Sequence, residues 1–271
     1  MVFESTSESD PKFDFKNIKL FARRYLETYY TGVNEDEPPI ARFLIEQGRL
    51  LSQLNLQAIE IGCGPTLHHA LSIAPYIKSL DMADYLPDNL SEIQKWRENK
   101  QDAFSWRPYT EMILREEGQL PTAELVRERD DTLRKKIDKL YICDIKRSQP
   151  VVEVSSYPIV LTFYCAEEVG TTTTEWEEVM ENISRMVSPD GYLFLSALRD
   201  TPHYILGDPD GVHEWLPCAF ITKELLKECL SRLGFIPESI DIRSVDTPGL
   251  VNLGIPGILI AMAKKPGTQN K

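Results

Sequence analysis

AIEIGCGPTLHHALSIA (58–74) is the stretch on which the reading turns. A short apolar run ends at Gly62, and apolar residues then recur at helical spacing, so the segment reads as strand, turn and helix. Glycine at 62 and 64 allows positive φ and close approach of backbone to a ligand. Outward from this unit the alternation continues. IKSLDMADY (77–85) is a second strand ending in acids, and PDNLSEIQKWRE (87–98) is a helix opened by Pro87. KLYICD (139–144) and YPIVLTFYC (157–165) are the third and fourth strands. The fourth is apolar almost throughout, as a strand covered on both faces must be. EWEEVMENISRMV (175–187) is a helix stopped by SPDG, and YLFLSAL (192–198) is the fifth strand. ITKELLKECLSRLG (221–234) is a helix with glycine at its end. FIPESIDIRS (235–244) and GILIAMAKK (257–265) follow as two strands with no helix between them. Strands alternating with helices predict an α/β fold, a Rossmann-like, seven-stranded, mostly parallel sheet whose last strand inserts antiparallel.

Upstream, residues 1–14 carry no periodicity and read as a flexible tail. Helical spacing of Ile18, Phe21, Tyr25 and Tyr29 predicts a helix from Phe15 to Tyr30, and a second runs from about Pro39 to Leu54. Residues 15–271 are expected to form one domain, with 100–136 as a helical insertion over one end of the sheet.

Composition narrows the function. The 271 residues hold 30 Lys and Arg against 42 Asp and Glu, and 30 − 42 gives a net charge of −12. Such a surface repels phosphate backbones, so no nucleic-acid partner is expected. The longest nearly apolar run, 254–263, is far below the ~20 residues that span a bilayer. The acidic N-terminus does not read as a signal peptide. Cys63, Cys143, Cys165, Cys218 and Cys229 form no CxxC pair, which fits reduced thiols. A soluble, cytoplasmic, monomeric chain with no membrane partner is the expectation.

At the glycine turn, the third glycine of the dinucleotide fingerprint is missing, because position 67 is Leu. Glu60 precedes Gly62 by two residues and would repel a pyrophosphate while attracting an amino group or a sulfonium. Amides at the start of the following helix can hold a carboxylate. Asp84 ends the second strand, where a carboxylate can accept both hydroxyls of a ribose. Acid, glycines and ribose acid together favour S-adenosylmethionine (SAM) over NAD.

EIGCGPTLHHALS (60–72), DMADYLPDNLSEIQKW (81–96), AFSWRPY (103–109) and CDIKRSQP (143–150) resemble the nicotinamide, phenylethanolamine and thioether methyltransferases. These are class I SAM-dependent enzymes acting on small molecules, with S-adenosylhomocysteine (SAH) as product. RYLETYY (24–30) is similar to their N-terminal helix, which makes 15–54 a helical cap over the cofactor. The resemblance implies that Tyr25 and Tyr30 lie over the methionyl end of SAM. Gly62, Cys63, Gly64 and Thr66 would line the turn, with Glu60 behind them. Asp84 and Tyr85 would meet ribose and adenine, with Asn89 closing that edge. Asp144 and Ile145 would read the adenine, and Phe163 would stand beside the sulfonium. A family tyrosine is His68 here, and the family's acceptor-binding acid is Ser196. The aromatic loop 203–217 keeps the family's Tyr204 and Gly207 and adds His203, His213, Glu214 and Trp215. Substrate contacts are therefore expected from Ser196, Tyr204, His203 and His213.

Glu167 and Glu168, just after the fourth strand, are the catalytic candidates, placed to take a proton from an ammonium acceptor or to orient it. Four histidines with no repeated ligand spacing predict no metal site, and adjacent His68 and His69 are expected on different sides of a helix. The function expected is methyl transfer to a small molecule, at nitrogen on family grounds. The alternatives are a non-catalytic SAM-binding protein and an enzyme acting on oxygen, sulfur or a macromolecule. Against the last, Thr162-Phe163-Tyr164-Cys165 stands where an Asn/Asp-Pro-Pro-Tyr/Phe tetrad would be needed.

Overall fold

In the computed structural model, residues 21–207 and 213–268 are described. The expected tail 1–14, and the expected helix from Phe15 up to residue 20, lie outside them. Helix α1 (Phe21–Tyr29) is followed by α2 (Glu37–Leu51), which starts two residues earlier than expected because prolines are tolerated in a first turn. The alternating part runs β1 (Gln57–Ile61), α3 (His68–Ile73), β2 (Ser79–Asp84), α4 (Pro87–Arg97), α5 (Arg107–Glu116), α6 (Ala123–Lys136) and β3 (Ile137–Ile142). It continues with β4 (Tyr157–Phe163), α7 (Ala166–Val169), α8 (Thr173–Arg185) and β5 (Val187–Arg199). A hairpin of β6 (His203–Gly207) and β7 (His213–Pro217) precedes α9 (Lys223–Arg232), β8 (Asp241–Asp246) and β9 (Gly257–Lys264).

The main sheet has seven strands in the order β3-β2-β1-β4-β5-β9-β8. Neighbours pair in parallel except β9, which is antiparallel to both β5 and β8. The antiparallel last strand therefore holds as expected. β1 lies between β2 and β4, so the order reverses there, and the crevice beyond its carboxyl end is the ligand position of such sheets.

Strand alternation divides the core. Ala58, Leu80, Met82, Ile159, Leu161, Phe194 and Ile260 pack beneath the α2, α3 and α5 side with Leu44, Leu71, Trp106 and Tyr109. Ile59, Val160, Leu193, Leu195 and Leu259 meet Trp176, Ile183 and Leu230 of α8 and α9 on the other. Glu60 shares the Ala58 face, so its carboxylate is carried into the first of these layers, toward α3.

Local features differ from expectation, among them β3, which ends at Ile142 so that Cys143 and Asp144 lie beyond it. The segment 203–217 is a hairpin rather than a loop, with Tyr204 opposite Leu216 and Ile205 opposite Trp215. β8 begins only at Asp241, because Pro237 sits in a 3-10 turn. SPDG lies inside β5 as an irregularity in its pairing with β4. α8 starts at Thr173 under a capping box, in which the Thr172 hydroxyl accepts the Glu175 amide and the Glu175 carboxylate accepts the Thr172 amide. Among the described residues, no helix is long and apolar enough to cross a membrane.

Candidate active site

The turn after β1 is built for glycine. Gly62 and Gly64 have φ of +66° and +57°, and a Cβ on Gly62 would lie 2.1 Å from Cys165 Sγ. The Gly64 amide donates to Asp84 Oδ2 at 2.7 Å, which fastens the turn to the end of β2. Asp84 Oδ1 accepts the Leu86 amide at 2.9 Å and Asn89 Nδ2 at 2.8 Å. Burial raises the Asp84 carboxyl above its ordinary range, and these hydrogen bonds oppose that rise. With the Tyr85 amide, these groups occupy the carboxylate from within the chain. Asn89 Oδ1 beside it is buried without a partner. Asn89 therefore adds an acceptor at this edge, where the sequence places both on Asp84.

The first turn amides are engaged within the chain. Gly62 and Cys63 both donate to the Ala83 carbonyl, at 2.8 and 3.1 Å, so they face β2 rather than a ligand. The Thr66 hydroxyl donates to the Cys63 carbonyl at 2.8 Å and pins the bend. The Cys143 amide donates to the Asp84 carbonyl at 3.0 Å and draws the segment after β3 to the same edge. Asp144 there accepts the Lys146 amide and pairs with Arg147 at 3.2 Å, while Ile145 is buried and its carbonyl accepts Asn182 Nδ2. The Tyr85 ring is half exposed.

Tyr25 and Tyr30 come together although they are five residues apart, because α1 ends at Tyr29. Their hydroxyls lie 3.3 Å apart. The Tyr30 ring packs on His68, Trp106 and Tyr109.

His68 and His69 do not diverge. Their ring centroids are 3.9 Å apart, with His68 Nε2 3.0 Å from Glu37 Oε1 and His69 Nε2 3.4 Å from Glu37 Oε2. The reason is position: both open α3, side chains tilt toward a helix N-terminus, and Glu37 at the start of α2 lies on that side. Nδ1 of His69 is 3.7 Å from Glu60 Oε1. Burial alone would lower His69, but the Glu37 charge and contacts with Glu37 and Glu60 outweigh it and hold it at about 9. Burial lowers His68 more than Glu37 raises it. Glu37 is held well below the carboxylate range, its burial being outweighed by the two imidazoles.

Phe163 ends β4 with its ring 4.0 Å from that of His69. The next residue, Tyr164, has φ of +49°, a rare state for a bulky side chain. It aims its hydroxyl at Asp36, to which it donates a hydrogen bond. Burial and the neighbouring Glu37 charge raise Asp36 to about 6. Neither residue was expected from the sequence.

The candidate acids separate. Glu167 is fully buried, and its Oε1 accepts the Leu198 amide at 2.9 Å, so it braces α7 against β5. Burial raises its carboxyl to about 7. Burial and the Glu167 charge push Glu168 well above its ordinary range. Its own charge raises the phenols of Tyr25 and Tyr204, whose chief cause is burial. Ser196 lies opposite Phe163 in the β4–β5 register, and its buried hydroxyl has no partner. His203 packs edge-on against Trp215 at 4.4 Å, with Nε2 3.4 Å from the Leu253 carbonyl. The backbone of His213 is in β7, and its side chain lies outside the described residues.

A model of the NNMT/PNMT/TEMT family matches residues 13–266. Phenylethanolamine N-methyltransferase of Macaca mulatta is 26% identical over 216 residues, covering 77% of this chain and 73% of the relative. Nicotinamide N-methyltransferase of Homo sapiens is 26% identical over 201 residues, covering 69% and 72%. Among solved structures, an S-adenosylmethionine-dependent methyltransferase from Clostridium acetobutylicum superposes with a TM-score of 0.50 at 13% identity, covering 91% of this chain and 98% of that one. That likeness is one of fold, and it agrees with the sheet order above. With the family match spanning nearly the whole chain, the protein belongs to the NNMT/PNMT/TEMT family.

Proposed function

We propose that the chain transfers a methyl group from SAM to a nitrogen atom of a small molecule. The observation that carries this is the Gly64–Asp84 hydrogen bond of 2.7 Å, which joins glycine turn and acid into one edge. The orphaned Asn89 Oδ1 and Glu60 Oε2, both buried, fit a ligand with hydroxyl and ammonium donors. On this reading Asp84 and Asn89 take the ribose hydroxyls and Glu60 stands behind the methionyl group. Gly62, Cys63, Gly64 and Thr66 form the floor, Tyr85, Asp144 and Ile145 border the adenine, and Tyr25 and Tyr30 cover the methionyl end. When bound, SAM supplies a methyl group on a sulfonium.

The protein's task is alignment and exclusion of water, worth roughly 7–11 kcal/mol of barrier when geometry is good. Phe163 forms the wall beside the reacting centre. Glu168 is the acid that orients the acceptor and takes its proton, since burial and the Glu167 charge raise its carboxyl well above the ordinary range and make it a stronger base. Glu167 acts through it by holding α7 in place. Tyr204, with His203, His213 and Trp215 of the hairpin, encloses the acceptor over Ser196. The same reading takes residues 15–271 as one catalytic unit with a capping N-terminus. It sets this unit in a reducing, cytoplasmic compartment, with which five free cysteines agree.

The test is methyl release from SAM over a panel of amines, heteroaromatic nitrogens, phenols and thiols. Turnover of nitrogen acceptors is expected, with Glu168→Gln lowering kcat and leaving SAH affinity unchanged. Turnover confined to phenols or thiols, or none at all, would overturn the reading.

A further inference from the structure

Methyl transfer leaves Glu37, His68 and His69 without a task. We infer that these three side chains form a binding site for a divalent transition-metal cation, with zinc the best match to the donors. The site adjoins the methyl-transfer site and shares Glu60 and Phe163 with it, but the inference does not rest on that reading.

Three observations carry it. First, one donor atom from each residue lies within 4.8 Å of the others, and all three residues are buried. Zinc bonds of about 2.0–2.1 Å in tetrahedral geometry place neighbouring donors roughly 3.3 Å apart. The His68 Nε2–Glu37 and His69 Nε2–Glu37 separations are 3.0 and 3.4 Å. Second, these close approaches are not aligned hydrogen bonds: both Nε2 atoms are buried without a hydrogen-bond partner. A Glu–His–His hydrogen-bonded chain would have satisfied them, whereas donors gathered around a cation need not point hydrogens at one another. Third, the acidic side chains are enclosed. Glu37 and Glu60 are 3% and 2% exposed, and the ion pairs found for them are to these same two histidines. Two acidic groups buried together against two imidazoles are a costly arrangement that a dication relieves.

The surroundings resemble those of a working metal site. Glu60 sits 3.7 Å from His69 Nδ1, the outer carboxylate that fixes tautomer and ring orientation in carboxylate–histidine–metal arrangements. Trp106 stacks on His68 with centroids 5.5 Å apart, and Phe163 covers His69 at 4.0 Å, so both rings are held. Two histidines and one carboxylate leave a fourth position for water or a ligand, the pattern of zinc sites that are not closed by protein. The cation would bind the start of α2 to the start of α3, across the mouth of the crevice beyond β1.

The test uses the full chain without a polyhistidine tag, stripped with chelator and reloaded with zinc or cobalt(II). One equivalent of zinc should survive gel filtration, and the cobalt form should show the intense visible absorption of four-coordinate cobalt. Glu37→Gln, His68→Gln and His69→Gln should each weaken zinc binding at least about tenfold in competition with a chromogenic chelator. Cys229→Ser, in a buried thiol on α9, should not. Failure to retain a stoichiometric metal, or retention indifferent to all three substitutions, overturns the proposal. The wild-type stoichiometry and cobalt spectrum need no variant, so a misfolded mutant does not shield it.

Discussion

Replacing Glu167 with Gln should remove one pH-dependent component of the stability. The Glu167 carboxyl is fully buried and raised by that burial to about 7. In an unfolded chain a glutamate titrates near 4.3, and the gap between the two values is worth roughly 4 kcal/mol. The sign follows from proton binding. Between the two values the folded state holds the proton and the unfolded state does not, so this contribution is complete below about pH 4 and is lost as pH rises through 7. Gln mimics the protonated form: its carbonyl still accepts the Leu198 amide that Oε1 accepts at 2.9 Å, and its amide occupies the place of the partnerless Oε2. Denaturant unfolding at pH 4.0, 7.0 and 8.5 reads the difference. Variant and wild type should match within about 0.5 kcal/mol at pH 4.0. The variant should be more stable by roughly 4 kcal/mol at pH 8.5, and relief of the Glu168–Glu167 repulsion acts in the same direction. A stability difference that does not change with pH would mean that Glu167 is solvated or charge-paired in the fold.

Gly62→Ala places a Cβ 2.1 Å from Cys165 Sγ at a φ of +66°, so left-handed strain and overpacking should together cost about 2–4 kcal/mol in the same unfolding assay. Adding Cys165→Ala should recover part of that loss, and additive costs would place the strain in the backbone alone. Tyr157→Phe removes the buried hydrogen bond to Asp81 Oδ2, leaving that oxygen unpaired, and should destabilise by about 1–3 kcal/mol; an unaffected melting temperature would mean that water replaces the hydroxyl.

The succession of β1 to β5 along the chain, the glycine bend and the antiparallel last strand were legible because each is written in local periodicity or in a residue type with one conformational use. What escaped was set by distant partners. Glu37 and His68 are brought together by how α2 meets α3, and no spacing announces it. The convergence of His68 and His69 depends on their place at the first turn of a six-residue helix, where side chains lean toward the incoming segment. Glu167 and Glu168 could not be told apart, because the four-residue helix α7 resets the phase after β4. Tyr164 in the left-handed region carries no sequence signal at all, since its side chain argues against that conformation. The hairpin was legible in retrospect: His203-Tyr-Ile-Leu-Gly and His213-Glu-Trp-Leu-Pro are short apolar runs flanking a turn-rich DPDGV (208–212).

The claim beneath all of this is that the bend at Gly62–Gly64 and the acid at the end of β2 hold an adenosyl ligand. Calorimetric titration with SAH, on the wild type and on a folded Asp84→Asn chain, addresses it directly. One equivalent of SAH should bind, NAD should not compete, and the substitution should weaken binding about tenfold or more, as loss of a charged hydrogen bond requires. Absence of SAH binding, or an affinity unmoved by Asp84→Asn, would contradict the account.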